Sequence, residues 1–362
     1  MRNSIASFGG CGLAVIPLLR AVSALLLISF STVAVPLHAE APQQKWLADK
    51  VRIPSDPGVV LAGTLRTPTR PGPFPAVLLL GGSGPGQRGG TSPLMERLLA
   101  DGIAVLEYDK RGVGQSTGDF VDSLRNMETD AAAAVRYLRS RSDMDTSRIA
   151  LIGHSQGGAV APALAARDPA IAAVVMLAGP VVPPKPGKVN LIIMKDMLAK
   201  AGAAPAAIQQ VAEASDRLFE AEARKAPPSE IAPLEEAVIQ GFIACKFTRR
   251  GAEGALATLK SIVFEAWNRR FDQTLASLRT PVLALYASED EHVSTPDELP
   301  AAKAALAANP DAKVVEIADV NHGFHRVKNL GDLKPDQSRT MVLEVIDMVG
   351  DWLTARLHQP IR

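Results

Sequence analysis

"RIALIGHSQGGAVAPALAARD", residues 148–168, is the stretch on which the reading of this chain turns. Five residues that are mostly apolar run into Gly153-His154-Ser155-Gln156-Gly157, and an alanine-rich run follows at once. A short apolar run bounded by glycine reads as a buried strand, and the alanine-rich run as a helix. Gly-x-Ser-x-Gly is weak evidence by itself, because glycine and serine are common. Between a buried strand and a helix it says more. A sharp strand-to-helix turn there lifts the serine hydroxyl clear of the sheet, and glycines on both sides leave room for the turn. The other use of such a turn is phosphate binding, which wants earlier glycines or a Lys-Ser/Thr pair. This turn has neither.

The same rhythm extends outward. "FPAVLLLGG" (74–82) and "GIAVLEYD" (102–109) read as strands buried on both faces, and "IAAVVMLAGP" (171–180), "TPVLALYAS" (280–288) and "AKVVEIADV" (312–320) as further strands. Helical runs fall between them at 92–102, 127–141 and 157–168, near 299–308, and at 338–356. Upstream, "KVRIPSDPGVVLAGTLRTP" (50–68) reads as an antiparallel hairpin about Asp56-Pro57-Gly58. Repeated β-α units with apolar strands predict an α/β fold with a mostly parallel, doubly wound sheet. The rhythm stops over 181–272, which is Ala-, Glu- and Lys-rich without a strand-like run and reads as a helical cap. The predicted organisation is a leader at 1–39, core at 40–180, a lid or cap insertion at 181–272, and core again at 273–362.

The leader reading rests on the apolar run from Ala21 to Val35, preceded by Arg2 and Arg20 and followed by small residues, with no acid before Glu40. That is the pattern of a secretory signal peptide cut near Ala39, although Leu37 fits the cleavage rule poorly. A retained anchor is the alternative, but the run is short against the roughly 20 residues that span a bilayer. The expectation is a periplasmic or secreted protein with no stable membrane insertion. Removal of the leader would take Cys11 with it and leave Cys245 alone, so no internal disulfide is expected. The chain of 362 residues is 47% hydrophobic and 21% charged with net charge +1, and no basic block stands out, which argues against nucleic acid as a partner. Six scattered histidines and two cysteines argue against structural zinc.

A serine hydroxyl needs a base to become a nucleophile, and the base needs an orienting acid. Two later strand ends carry such groups: "LALYASEDEHVS" (283–294) and "VVEIADVNHGFHR" (314–326). The order Ser155, acid, His322 is the one expected when catalytic groups sit on successive strand ends of such a sheet. Glu289, Asp290 and Glu291 compete for the acid, and His154, His292, His325 and His358 are alternatives to His322. His325 is the nearest rival.

With "GGSGPG" (81–86), "YDKRGVGQSTG" (108–118), "GHSQGG" (153–158), the acid loop and "NHGF" (321–324) in this order, the chain resembles the α/β-hydrolase family, in its esterase and serine-aminopeptidase-like branch. The resemblance covers about 50–357, with the insertion where the family carries its lid. It implies Ser155 as nucleophile, His322 as base and Asp290, three residues before Val293, as acid. It implies backbone oxyanion donors at Gln156 and at Ser83, with Gly84 as the runner-up to Ser83. Asp109 and Arg111 would then be scaffold in their loop. The implied activity is hydrolysis of a small acyl ester with no cofactor and no metal.

Three rivals remain at this level. An aminopeptidase would want an acidic pocket for a free amine, with Glu220 or Glu222 as candidates. An acyl-CoA thioesterase fits poorly with export. A catalytically silent binding protein of the same fold is the rival from another class. Haloalkane dehalogenation is disfavoured, since it needs an aspartate where Ser155 stands.

Overall fold

The computed structural model describes residues 46–183, 194, 195, 198, 199, 201–328 and 340–358. The leader at 1–39 lies outside the described residues. Trp46–Pro54 (β1) and Val60–Pro68 (β2) pair antiparallel, with Pro54 opposite Val60 across the Asp56-Pro57-Gly58 turn. Gly58 takes φ +80° there, a left-handed conformation that glycine adopts without a Cβ clash. Phe74–Leu80 (β3), Ala104–Tyr108 (β4), Met144–His154 (β5), Ile171–Leu177 (β6), Val282–Ala287 (β7) and Ala312–Ile317 (β8) complete an eight-stranded sheet of order β1-β2-β4-β3-β5-β6-β7-β8. β2 meets β4 antiparallel, and every pairing from β4 through β8 is parallel.

Helices cover both faces because consecutive side chains of a buried strand point to opposite sides. On β5, Ile149 and Leu151 enter one core, with Leu124–Ser140 (α2) and Gly157–Ala165 (α3). Ala150 and Ile152 enter the other, with Pro93–Ala100 (α1) and Leu343–Leu357 (α9). After β6 come Pro205–Ala223 (α4), Pro228–Ala244 (α5) and Arg249–Trp267 (α6), which share a third apolar cluster around Val211, Leu218, Val238, Phe242 and Leu256. Phe271–Ser277 (α7) returns to the first core, and Thr295–Ala305 (α8) follows β7.

Helix starts differ from the sequence expectation where a cap decides them. α2 begins at Leu124, ahead of 127, because the Ser123 hydroxyl accepts from Asn126 N–H. α8 begins at Thr295, ahead of 299, with Pro296 in its first turn. α9 begins at Leu343, after 338, because Val342 is extended at ψ 144°.

Candidate active site

Ser155 stands between β5 and α3 at φ +54°. A non-glycine residue pays strain in that region, and its neighbours hold it there. Its N–H donates to Leu177 O on β6 at 2.8 Å, and its carbonyl accepts from Gly158 N–H at 2.8 Å. The flanking glycines are steric requirements. A Cβ on Gly153 would lie 2.0 Å from Gly157 O, and one on Gly157 would lie 2.3 Å from Leu80 O.

The loop after β8 brings His322 to Asp290, in the loop after β7. His322 Nδ1 lies 2.9 Å from Asp290 Oδ1 and 2.8 Å from Oδ2. The Asp290 side chain is fully buried, and Oδ1 also accepts from His292 and Val293 N–H at 2.8 Å each. A carboxylate only accepts, so Nδ1 carries the proton and Nε2 is left as the basic nitrogen. The "NHGF" motif is the geometry of this loop. Asn321 Oδ1 accepts from Gly323 and His325 N–H, and Phe324 is fully buried at φ +57°.

The rival residues are placed elsewhere. Glu289 pairs with Lys328 at 2.6 Å, and Glu291 accepts the backbone N–H of His322. His358 bonds Asp101 O at 2.9 Å, on α1's side of the molecule. His325 lies over Gly323, whose added Cβ would meet the ring at 3.0 Å. His154 and His292 flank the His322 ring at centroid distances of 4.7 and 4.6 Å. His154 Nε2 lies 2.9 Å from His322 O, so it donates to that carbonyl and ties the end of β5 to the base loop. Burial first, and then His322, pushes His154 down to about 4, so its ring is neutral at pH 7.

A cleft of about 380 Å³ is lined by Ser155, Gln156, Ser83, Leu124, Val182, Ile262, Phe271 and Val293, with Glu265, Asp297 and Glu298 as its acids. Neither Ser83 nor Gln156 N–H has an acceptor among the described residues. Gly84 N–H, by contrast, donates to Asp122 Oδ2 at 2.8 Å, so the runner-up donor position is already engaged. Glu220 and Glu222 do not line the cleft, and Glu222 is paired with Lys260 at 2.8 Å. Among the described residues, no three His, Cys, Asp or Glu side chains are grouped to hold a metal ion.

Asp109 and Arg111 tie loops together. Asp109 accepts from Arg88 and Gln115 N–H, and Arg111 bonds Asp130 on α2 and Asp56 in the hairpin turn. The residue between them was missed in sequence: Lys110 donates to Gly82 O at 2.5 Å. Glu298 was missed as well. Its Oε2 accepts from Val181 N–H at 2.6 Å and Val182 N–H at 2.8 Å, fixing the exit from β6. Burial first, with Asp297 and Asp290 adding to it against those two hydrogen bonds, pushes its carboxyl up to about 7. Glu265 on α6 accepts from Leu124 and Arg125 N–H at the start of α2. No local pattern gives these three their partners, because each acts on a backbone group far away in the chain.

Residues 75–226 match the serine aminopeptidase (S33) family. The uncharacterized protein Rv2307c of Mycobacterium tuberculosis is 37% identical over 124 residues, 34% of this chain and 43% of that one. Esterase EstD of Thermotoga maritima is 35% identical over 131 residues, 34% of this chain and 31% of that one. The chain thus spans less than half the length of the curated relatives it matches. The solved structure of the Pyrococcus furiosus esterase Pf2001 superposes with a TM-score of 0.52 at 17% identity, covering 86% of this chain and 92% of that one, which shows a shared fold.

Proposed function

We propose that the chain is a serine hydrolase cleaving carboxylic esters through an acyl-enzyme; its match to the serine aminopeptidase (S33) family over residues 75–226 and its similarity to an esterase support the reading. The observation that carries the reading is the two-oxygen grip of Asp290 on His322 Nδ1, taken with a serine held at left-handed φ in the turn between β5 and α3. In this reading Ser155 Oγ attacks the acyl carbon while His322 Nε2 takes its proton. The tetrahedral oxyanion is held by Gln156 and Ser83 N–H. The base then returns the proton to the leaving alkoxide, and a water activated in the same way releases the acid. No cofactor or metal enters these steps. Peptides with a free amine are a weaker match, because Glu265 and Glu298 already accept backbone N–H groups and Asp297 already accepts from the Ser294 hydroxyl. The apolar run after Arg20 supports export to the periplasm or beyond, which fractionation of producing cells tests.

The test of the chemistry is Ser155→Ala assayed on short p-nitrophenyl esters. Turnover is expected to fall by about 10⁶, to the residue that oxyanion donors and binding supply. Undiminished turnover in that variant refutes the assignment.

A further inference from the structure

Lys110 carries a buried ammonium that the proposed chemistry does not use. Only 9% of the residue is exposed, and burial pushes its pKa down while Asp122 holds it up. It lines a separate cavity of about 250 Å³ and is absent from the lining of the cleft that holds Ser155. It therefore meets the Gly82–Gly86 loop from a cavity other than that cleft. Lys110 holds the loop at two points. Lys110 Nζ donates to Gly82 O at 2.5 Å, and Lys110 N–H donates to Gly86 O at 3.0 Å.

The peptide that the ammonium holds is the one that matters. Gly82 C=O and Ser83 N–H belong to the same peptide unit, and in a trans peptide they point in opposite directions. The described chain has a cis bond at Gly72–Pro73 and none here. A bond that holds Gly82 O therefore also fixes Ser83 N–H, directed away from the ammonium. The loop lies against the nucleophile: a Cβ on Gly82 would stand 3.0 Å from Ser155 Cβ and 3.4 Å from Oγ, and Ser83 lines the same cleft as Ser155. A charged donor on the carbonyl also polarises the unit and makes its N–H a stronger donor. The next peptide is taken out of play by the partner of Lys110. Asp122 Oδ2 accepts Gly84 N–H, while Oδ1 has no hydrogen-bond donor among the described residues and rests 3.6 Å from the ammonium.

We infer that Lys110 is a positioning residue for the oxyanion donor: its ammonium aims and polarises the Gly82–Ser83 peptide, and Asp122 keeps Gly84 N–H from competing. This rests on the ester-hydrolase reading. The ammonium touches no substrate atom and acts through the peptide. A plain structural ion pair would stabilise the loop without distinguishing the transition state from the bound ester.

The experiment compares wild type, Lys110→Met and Lys110→Gln with the double variant Lys110→Met/Asp122→Asn, which leaves no buried lone charge. Each is assayed on p-nitrophenyl butyrate and titrated with a trifluoromethyl ketone that forms a tetrahedral oxyanion on Ser155. Loss of an oriented donor predicts that kcat falls about thirtyfold in both Met variants, with KM within about twofold. Ketone affinity falls by the same factor, and the glutamine, a neutral donor, recovers part of both. A folded double variant with wild-type kcat overturns the inference. So does a rise in KM that accounts for the whole loss, or a ketone affinity that stays at the wild-type value. A wild type that cleaves no ester and is not labelled at Ser155 by a fluorophosphonate overturns the hydrolase reading and this one together.

Discussion

At the scale of single residues, the candidate site is a set of backbone positions as much as a set of side chains. Ser155 and His322 were legible because each lies in a local motif whose shape needs particular neighbours. Gly153 and Gly157 are excluded from carrying a Cβ, and Asn321 and Phe324 shape the turn around His322. Choosing Asp290 over Glu289 and Glu291 needed a family resemblance, since three adjacent acids look alike in sequence. The structure separates them by direction: one faces His322, one Lys328 and one a backbone N–H. Asp290→Asn tests that distinction. The amide oxygen still accepts from His292 and Val293 N–H, so the fold is kept, but the imidazole loses the anion that orients it. By analogy with the same change in serine proteases, kcat on p-nitrophenyl esters is expected to drop by about 10³–10⁴. A loss under tenfold would remove Asp290 from the role.

At the scale of elements, strands were read from apolar runs more reliably than helix ends. A helix end depends on which group satisfies its free N–H donors. α2 shows this twice. Ser123 caps it locally, a signal within reach of the sequence, while Glu265 caps Leu124 and Arg125 from α6, 140 residues away. Arg269 extends the tie by bonding Glu128 on α2 at 2.9 Å. The inserted helices are thus fastened to the core through the start of a core helix. Glu265→Ala frees two first-turn N–H groups and removes an anion from the positive end of α2. Stability is expected to fall by about 1–2 kcal/mol, read as a lower urea midpoint with unchanged m-value.

At the scale of the whole molecule, two buried groups set opposite pH dependences. Glu298 holds its proton up to about 7 when folded, against an ordinary carboxyl value of 4.5. Between those values the folded chain binds the extra proton, so this group's contribution is fully present below about 4.5 and is lost as pH rises through 7. His154 runs the other way. Its ring falls from 6.5 to about 4 on folding, so its contribution is present above 6.5 and is lost as pH falls through about 4. Glu298→Gln keeps an acceptor for Val181 and Val182 N–H and deletes one titration. The unfolding free energy of the variant, relative to wild type, is expected to rise between pH 5 and pH 8. A constant difference across that range would contradict the role of burial at Glu298.

The sequence by itself determined the order of strands and helices along the chain, the sharp turn at Ser155 and the loop that offers His322. These follow from periodicity and sterics among residues close in the chain. Residue patterns without a family resemblance left three acids open for His322, and only the tertiary structure decided where Lys110, Glu265 and Glu298 make their contacts. Each of those depends on one side chain reaching a backbone group or a ring brought near it by the winding of the sheet. Such a meeting leaves no local pattern, because residues that share neither a turn of helix nor a stretch of strand place no steric demand on one another until the core has closed around them.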